Sequence, residues 1–544
     1  MEKEHDKVDH DKVDHDKVDH DKVEHHKIEL EVESLKAENE IVKTELKPRK
    51  SGWDARLVVD ATTFEQPRSK LDKTEPIYRQ KLAECEENVG AVHEDTLMAV
   101  FSLAELLKAQ GRMTEAEPLY LRALAGREEI FGAKHKDTLA VVNNLGTLYQ
   151  LQGKLEEAET LYLRALEGHK ELYGPEHAET FVSVSNLAML FNAQGRLKEA
   201  EPLFRRSLEG RKAILGANHP HTLISMGNLA SLFEAQGKLS EAEPLYVHCL
   251  AVQEKLLGAH HPSTLGSVNN LAGLLKDQGR MDEAEPLFRH ALAGTMITFG
   301  RNHPRTLTSY NNLAVMLEQQ GNLEEADNFF RRALVGREEQ LGPMHPDTLS
   351  SVHNLAGLLL MQRRGKEAEE MYKRALAGRE KVLGAMHPST LLSAGHLARS
   401  LQFLDKDDEA ERLFRYTMVG MQQTLGSKHP DTLTAMSNLA GALKVQGKLD
   451  EATELSRLSW EGEKENTGGM HPSTLTAMGN FAQMLHAQGK LHEAEKMYRG
   501  AFEGMKKIDH PHTGKCLTKL MELMKLLRVT KLLETVEAAG HKSL

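Results

Sequence analysis

Between residues 93 and 509, apolar side chains recur at spacings of three and four, and glycine interrupts them at fixed distances. That spacing keeps one stripe of a helix apolar. Residues 261–302 show one unit. Leu265, Val268, Leu271, Ala272, Leu274 and Leu275 predict a first helix, which Gly279 ends. A second run from about Asp282 carries Ala284, Leu287, Phe288, Ala291 and Leu292, and Gly300 closes it.

The unit returns every 42 residues. Histidine marks it ten times, at His93, His135, His177, His219, His261, His303, His345, His387, His429 and His471, each with a threonine three places on, Thr96 through Thr474. A fixed period of this length marks a solenoid, in which each helix pair buries its apolar face against its neighbours. Seven of the histidines precede proline, from Pro220 to Pro472. Proline suits the first turn of a helix, where its missing N–H is not needed. Histidine is therefore expected at or near the N-cap and threonine in the first turn, both satisfying orphan backbone groups. The alternative, a metal array, lacks any second recurring ligand.

Alanine stands early in the second helix of all ten units, from Ala116 to Ala494. An aromatic follows four residues later in nine, Tyr120, Tyr162, Phe204, Tyr246, Phe288, Phe330, Tyr372, Phe414 and Tyr498, with Ser456 the exception. A small residue opposite a ring lets two helices approach while the ring fills the gap. Glycine occupies the turn between helices in eight units, where a left-handed helix end favours it. Arg363 and Asp405 replace it in adjacent units and predict a differently capped turn.

One recurrence is not a packing position. Asparagine precedes the Leu-Ala or similar pair of the first helix at Asn144, Asn186, Asn228, Asn270, Asn312, Asn354, Asn438 and Asn480. Asparagine is a poor helix former, because its side chain competes for backbone bonds. A ladder of amides, each with donor and acceptor, can pair with the backbone of an extended peptide. The competing reading is a hydrogen-bond ladder between neighbouring first helices. Lys108, Lys276 and Lys444 lie one or two turns on and would favour an acidic ligand; Glu105, Glu234 and Glu318 share the face, so the groove is not basic overall. Ser102 and His396 interrupt the series.

A net charge of -11, without a large basic run in the repeats, argues against nucleic acid. Cys85, Cys249 and Cys516 form no CxxC pair and suit a reducing compartment. No apolar run is long enough to span a bilayer, and no secretory signal opens the chain. The expectation is a cytoplasmic protein without membrane insertion. GxxxxGK[ST], HExxH and GxSxG are all missing, so no catalytic residue, metal site or cofactor is assigned.

Outside the repeats, residues 1–27 read as a disordered tail, with four pentapeptides beginning at His5, His10, His15 and His20. A transition-metal site there is the alternative to a solvated tail. Ile28, Val32, Leu35, Asn39, Val42 and Leu46 form a heptad seam over 28–46, suited to a weak homodimer or to a lone amphipathic helix. Residues 47–75 read as a linker and 76–92 as half a unit, since Tyr78 stands 42 residues before Tyr120. Ten units fill 93–509. Residues 510–544 open with His510-Pro511-His512-Thr513 and predict a capping pair of helices, Leu517–Leu527 and Leu532–Ala539.

Taken in order, His-Pro-Asp-Thr-Leu, Asn-Asn-Leu-Ala, Gln-Gly-Lys, Glu-Ala-Glu-Pro-Leu-Tyr and Arg-Ala-Leu-x-Gly-Arg-Glu resemble the tetratricopeptide repeats of kinesin light chains over roughly residues 76–510. That resemblance implies an all-α, right-handed superhelical solenoid of about ten helix pairs with capping helices. It implies an adaptor that links cargo to a microtubule motor's heavy chain, with cytoskeletal association. Its concave groove would hold short peptides, often a tryptophan flanked by acids, against the eight asparagines named above. Two departures stand out. The family has about six repeats and a long heptad region, against ten repeats and about three heptads here. A general scaffold without a motor, of the nephrocystin-like or signalling type, is the alternative.

Overall fold

The computed structural model describes residues 68–508 and 512–540, with side chains at 74–508 and 512–529. The tail 1–27, the heptad segment 28–46 and the corner His510-Pro511 lie outside the described residues. What is described forms 22 helices and no strand. Helix α1 spans Arg68–Val89. Ten pairs follow, each of a first (A) and second (B) helix, from α2 (Glu94–Ala109) and α3 (Met113–Phe131) to α20 (Pro472–Ala487) and α21 (Leu491–Lys507). Helix α22 spans Thr513–Gly540.

Two boundaries differ from expectation. The linker read to residue 75 gives way to α1 at Arg68, and the helix runs through Pro76. At the other end, the expected pair of helices is one continuous helix. Its midpoint, Leu526-Leu527-Arg528-Val529-Thr530, holds neither glycine nor proline to break it.

Each marking histidine is the N-cap of its A helix. Its Nδ1 accepts the backbone N–H two residues on, as His261 does from Ser263 at 3.2 Å. The same cap recurs in all ten repeats. The threonine is buried, and its hydroxyl donates to the glycine carbonyl that ends the preceding B helix, as from Thr264 to Gly258 at 2.8 Å. Those glycines take φ near +90° with ψ near 160°, at Gly258 88° and 161°. That region is essentially open to glycine alone.

The predicted core is observed. The ten B-helix alanines are fully buried, and the nine rings that follow them are at most 3% exposed. Where Ser456 lacks a ring, Trp460 one turn on stacks against Phe481, with centroids 5.7 Å apart.

Two further packing devices recur. A mid-helix glycine on most B helices abuts the A-helix leucine of its own repeat: a Cβ on Gly294 would stand 2.4 Å from Leu265 Cδ2. One position later, a buried arginine ties the B helix to the next A helix. Arg337 donates to the Asp347 carbonyl at 3.1 Å and to Ser351 Oγ at 2.8 Å. Neighbouring repeats also share a polar clasp. Glu201 accepts from Gln236 and Lys238 of the next turn, each at 3.0 Å. Burial pushes its carboxyl up, but these bonds and one from Arg205 outweigh that and hold it at about 2.

Successive A helices touch each other as well as their own B helices, as do Pro262–Asp277 and Pro304–Gln320. The A helices therefore line the inner, shorter side of the curve. The curve closes after six repeats. The His-Pro corners of repeats seven to ten rest on the A–B turns of repeats one to four. A Cβ on Gly111, Gly153 or Gly195 would lie 2.7–2.9 Å from the δ-carbon of Pro346, Pro388 or Pro430, and one on Gly237 would lie 2.6 Å from the His471 ring.

Hydrogen bonds cross the same seam. His387 and His429 use Nδ1 as cap acceptors, so the proton sits on Nε2. That nitrogen donates, at 3.1 Å in each case, to the carbonyls of Leu151 and Ala193, the last residues of two A helices in the turn below. Lys198 Nζ adds a bond to the Glu465 carbonyl at 2.8 Å. One ring thus caps the N-terminus of its own helix and the C-terminus of another.

Arg363 and Asp405 do not cap differently, as the sequence suggested. They hold the same left-handed turn as the glycines, with φ of 63° and 57°. The bonding is also the same: the following residue donates to a carbonyl five positions back, Arg364 to Leu359 and Lys406 to Leu401, as Arg112 does to Leu107. Both side chains are exposed among the described residues.

Candidate peptide groove

The eight asparagines occupy one register of successive A helices, on the inner side of the curve. Their surroundings divide them. Asn186 donates to Asn143 Oδ1 at 3.4 Å, Asn354 to Asn311 Oδ1 at 2.9 Å and Asn480 to Ser437 Oγ at 3.0 Å, each across to the preceding A helix. Asn144 donates back to the Ala140 carbonyl at 3.0 Å. The inter-helix ladder weighed against peptide binding is therefore present in three places, and in a fourth Asn144 Oδ1 accepts from Lys108 Nζ of the preceding A helix at 3.5 Å. Asn228, Asn270, Asn312 and Asn438 make no hydrogen bond among the described residues, and Asn270 and Asn438 are exposed.

Asn228 and Asn270 line a recess of about 560 Å³ between the fourth and fifth repeats. Its floor is made by what is missing. Gly227, Gly266 and Gly273 leave space where most other repeats carry side chains, and Gln253 stands where four repeats have the buried arginine. Gln253 Oε1 and Asn269 Oδ1 are buried without a hydrogen-bond partner. Glu234 sits at the rim and accepts from the Tyr246 hydroxyl at 3.2 Å. Burial, and then the charge of Asp277, push its carboxyl up to about 7. The recess thus offers acceptors deep inside and amides at its mouth.

The three lysines fare differently. Lys108 is not on the groove surface. It is 3% exposed, and its Nζ donates to Glu105 Oε1 at 2.9 Å beneath the Tyr120 ring. An ammonium that close to a carboxylate three residues away is drawn into the core rather than toward a ligand. Lys276 faces the groove but pairs with Asp277 at 3.1 Å. Lys444 is half-buried near Lys519, and burial lowers its pKa. At the interruption of the series, His396 packs edge-on against His353, with centroids 4.6 Å apart. Burial holds both rings neutral, pushed down to about 4 and about 2.

Sequence reasoning missed the recess. Its signal is the coincidence of glycines at 227, 266 and 273 with the loss of arginine at 253. Among the described residues, no cluster of His, Cys, Asp or Glu could hold a metal ion, and no helix is long and apolar enough to cross a membrane.

The tetratricopeptide repeat model matches residues 95–171, 137–213, 179–255, 225–295, 263–339, 347–418 and 431–507. The chain belongs to the tetratricopeptide repeat family, whose fold is a scaffold for protein interaction. Its repeats are similar in sequence to those of kinesin light chain-like proteins of known structure. They are 30% identical to the nearly identical TPR-like repeats of a Podosopora anserina protein described as a kinesin light chain, covering 37% of this chain and 95% of that one, at a TM-score of 0.33. BtubC (BKLC) from P. vanneervenii is 23% identical over 42% of this chain and 92% of its own, at 0.36. A Rap protein complexed with competence and sporulation factor is 13% identical over 64% and 99%, at 0.41. Comparison with curated proteins gives no match.

Proposed function

We propose that this chain is a non-enzymatic adaptor that holds extended segments of partner proteins along the inner face of its A helices. The observation that carries the reading is the set of unpartnered amides at Asn228, Asn270, Asn312 and Asn438, in register with the others that bond across. A mid-helix asparagine without a partner costs a few tenths of a kcal/mol in helix propensity. Four of them on one face are better suited to receiving a peptide backbone than to stabilising the fold.

The reading extends to a motor. In it, residues 28–46 pair with a kinesin heavy chain, and the solenoid carries cargo in the cytoplasm. The shortness of that seam, about three heptads, favours the second reading, a scaffold without a motor. The two separate in a pull-down from native cytosol with the full chain, a deletion of residues 1–75 and the triple variant Asn228→Ala, Asn270→Ala, Asn312→Ala. A heavy chain lost only with the deletion supports the motor link; its absence from the full chain sinks that link. Partners lost tenfold or more with the triple variant, while its melting curve is unchanged, support the groove. Unchanged capture, or a collapsed melting curve, argues against it.

A further inference from the structure

We propose that a second copy of this chain continues the superhelix head to tail, and that the joint completes one repeat from two halves. Among the described residues, helix α1 is a B helix without an A helix. Its ring, Tyr78, is half-buried where the corresponding rings of the repeats are at most 3% exposed, and Ile77 beside it is 62% exposed. The start of α22 is an A helix with no B helix after it among the described residues. Its buried Cys516, Leu520 and Leu523 stand 39 residues after the buried Ala477, Phe481 and Met484 of the last A helix. Leu517 and Met521, on the side left open, are 38% and 52% exposed. Each end lacks what the other provides.

The seam between turns supplies an independent check. In three of the four covered turns the proline δ-carbon of the corner lies within 2.9 Å of where a turn Cβ would be, and in the fourth the His471 ring lies at 2.6 Å with Pro472 at 3.5 Å, so all four corners that carry proline stand over glycine. With the shared repeat counted as the eleventh, repeats one to five of the second copy stand above repeats six to ten of the first. The turns at Arg363 and Asp405 then meet His135-Lys136 and His177-Ala178, two corners that lack proline. The turns at Gly447 and Gly489 meet His219-Pro220 and His261-Pro262, which have it. Shifting the register by one repeat would drive Pro220 into Asp405. Proline and glycine pair across this joint as they do within the chain. The joint is heterologous and does not close, so it builds a linear fibre rather than a fixed dimer. It goes beyond the peptide-binding reading and does not depend on it.

The test is sedimentation velocity on the full chain over a hundredfold range of concentration, with Ile77→Asp and Met521→Asp alongside. Both sites are exposed, and melting curves matching wild type establish that the fold is kept. Wild type is expected to grow in mass with concentration without a ceiling. Each variant alone should stay monomeric, and a one-to-one mixture should form a dimer and nothing larger, since only one good joint remains. A wild type that stays monomeric throughout would overturn the proposal. So would a dimer that survives in either variant alone, as pairing through residues 28–46 would give, or a mixture that fails to associate.

Discussion

The A–B turns of repeats one to four and those of repeats five to ten have the same backbone and different surroundings. In both sets the turn residue sits at positive φ, from 57° to 84°. In the first set a histidine-proline corner from six repeats away presses on it; in the second, among the described residues, nothing stands within 4 Å of the glycine Cβ site. Glycine is therefore favoured on one ground in the free turns, conformation, and on two in the covered ones, conformation and space. Arg363 and Asp405 occur only in the set where the second ground is absent. A local motif can thus be identical along a solenoid while its tolerance to change is set by the superhelix.

The sharpest way to break this comparison is to add one methyl group to each class. Gly195→Ala meets the left-handed penalty of about 1–2 kcal/mol and an overlap at 2.7 Å with Pro430. Overpacking adds about 1–3 kcal/mol. Gly321→Ala meets the first term alone. Urea unfolding should show the covered substitution costing roughly twice the free one or more; equal losses would mean that the seam between turns contributes nothing.

Histidine gives the next contrast. His261→Ala removes an N-cap, worth about 1 kcal/mol. His429→Ala removes a cap and the bond to the Ala193 carbonyl, so a further loss of about 0.5–1.5 kcal/mol is expected. If the two variants unfold at the same urea concentration, the cross-turn bond is not formed in solution.

Mild acid tests the same seam without mutation. Burial lowers the pKa of His387 and of His471, which keeps them neutral as cap acceptors. The unfolded chain then takes up their protons first as pH falls. Their contribution is complete above the ordinary histidine value of ~6.5 and declines below it. Unfolding midpoints between pH 7.5 and 5 should fall for wild type and fall less for His387→Asn, which caps without titrating. Identical slopes would remove His387 from the explanation.

The sequence made the repeat itself legible because its signals are local. Histidine and threonine three apart cap one helix, and alanine and a ring four apart fill one gap, so a period of 42 exposes both. The asparagine register was legible for a similar reason, since a poor helix former repeated mid-helix calls for a cause. Which asparagines bond across was not, because that depends on the identity and the orientation of the residue 43 earlier: Asn143, Asn311 and Ser437 receive a bond, Gly227 offers Asn270 nothing, and Asn269, whose amide donates to the Leu265 carbonyl, leaves Asn312 unbonded. The burial of Lys108 was hidden in the same way, for its partner Glu105 has no counterpart at that place in the other repeats. The turn of six repeats was the least visible. Its contacts join residues 236 apart, and the only trace in the chain is where glycine and proline fail to recur.

The smallest expected effect is also the most direct test of that trace. Arg363→Gly should raise stability by about 0.5–1 kcal/mol, because it relieves a left-handed side chain at some cost in unfolded-state entropy. Asp405→Gly should raise it less, since aspartate tolerates that conformation better. Neither loses a buried contact, because both side chains are exposed among the described residues. Urea midpoints that rise in this order would establish that both side chains are held at a conformational cost, and that what retains them lies outside the fold of one copy. A fall in either midpoint would mean that the side chain supports its own turn, and the comparison between covered and free turns would lose its clearest case.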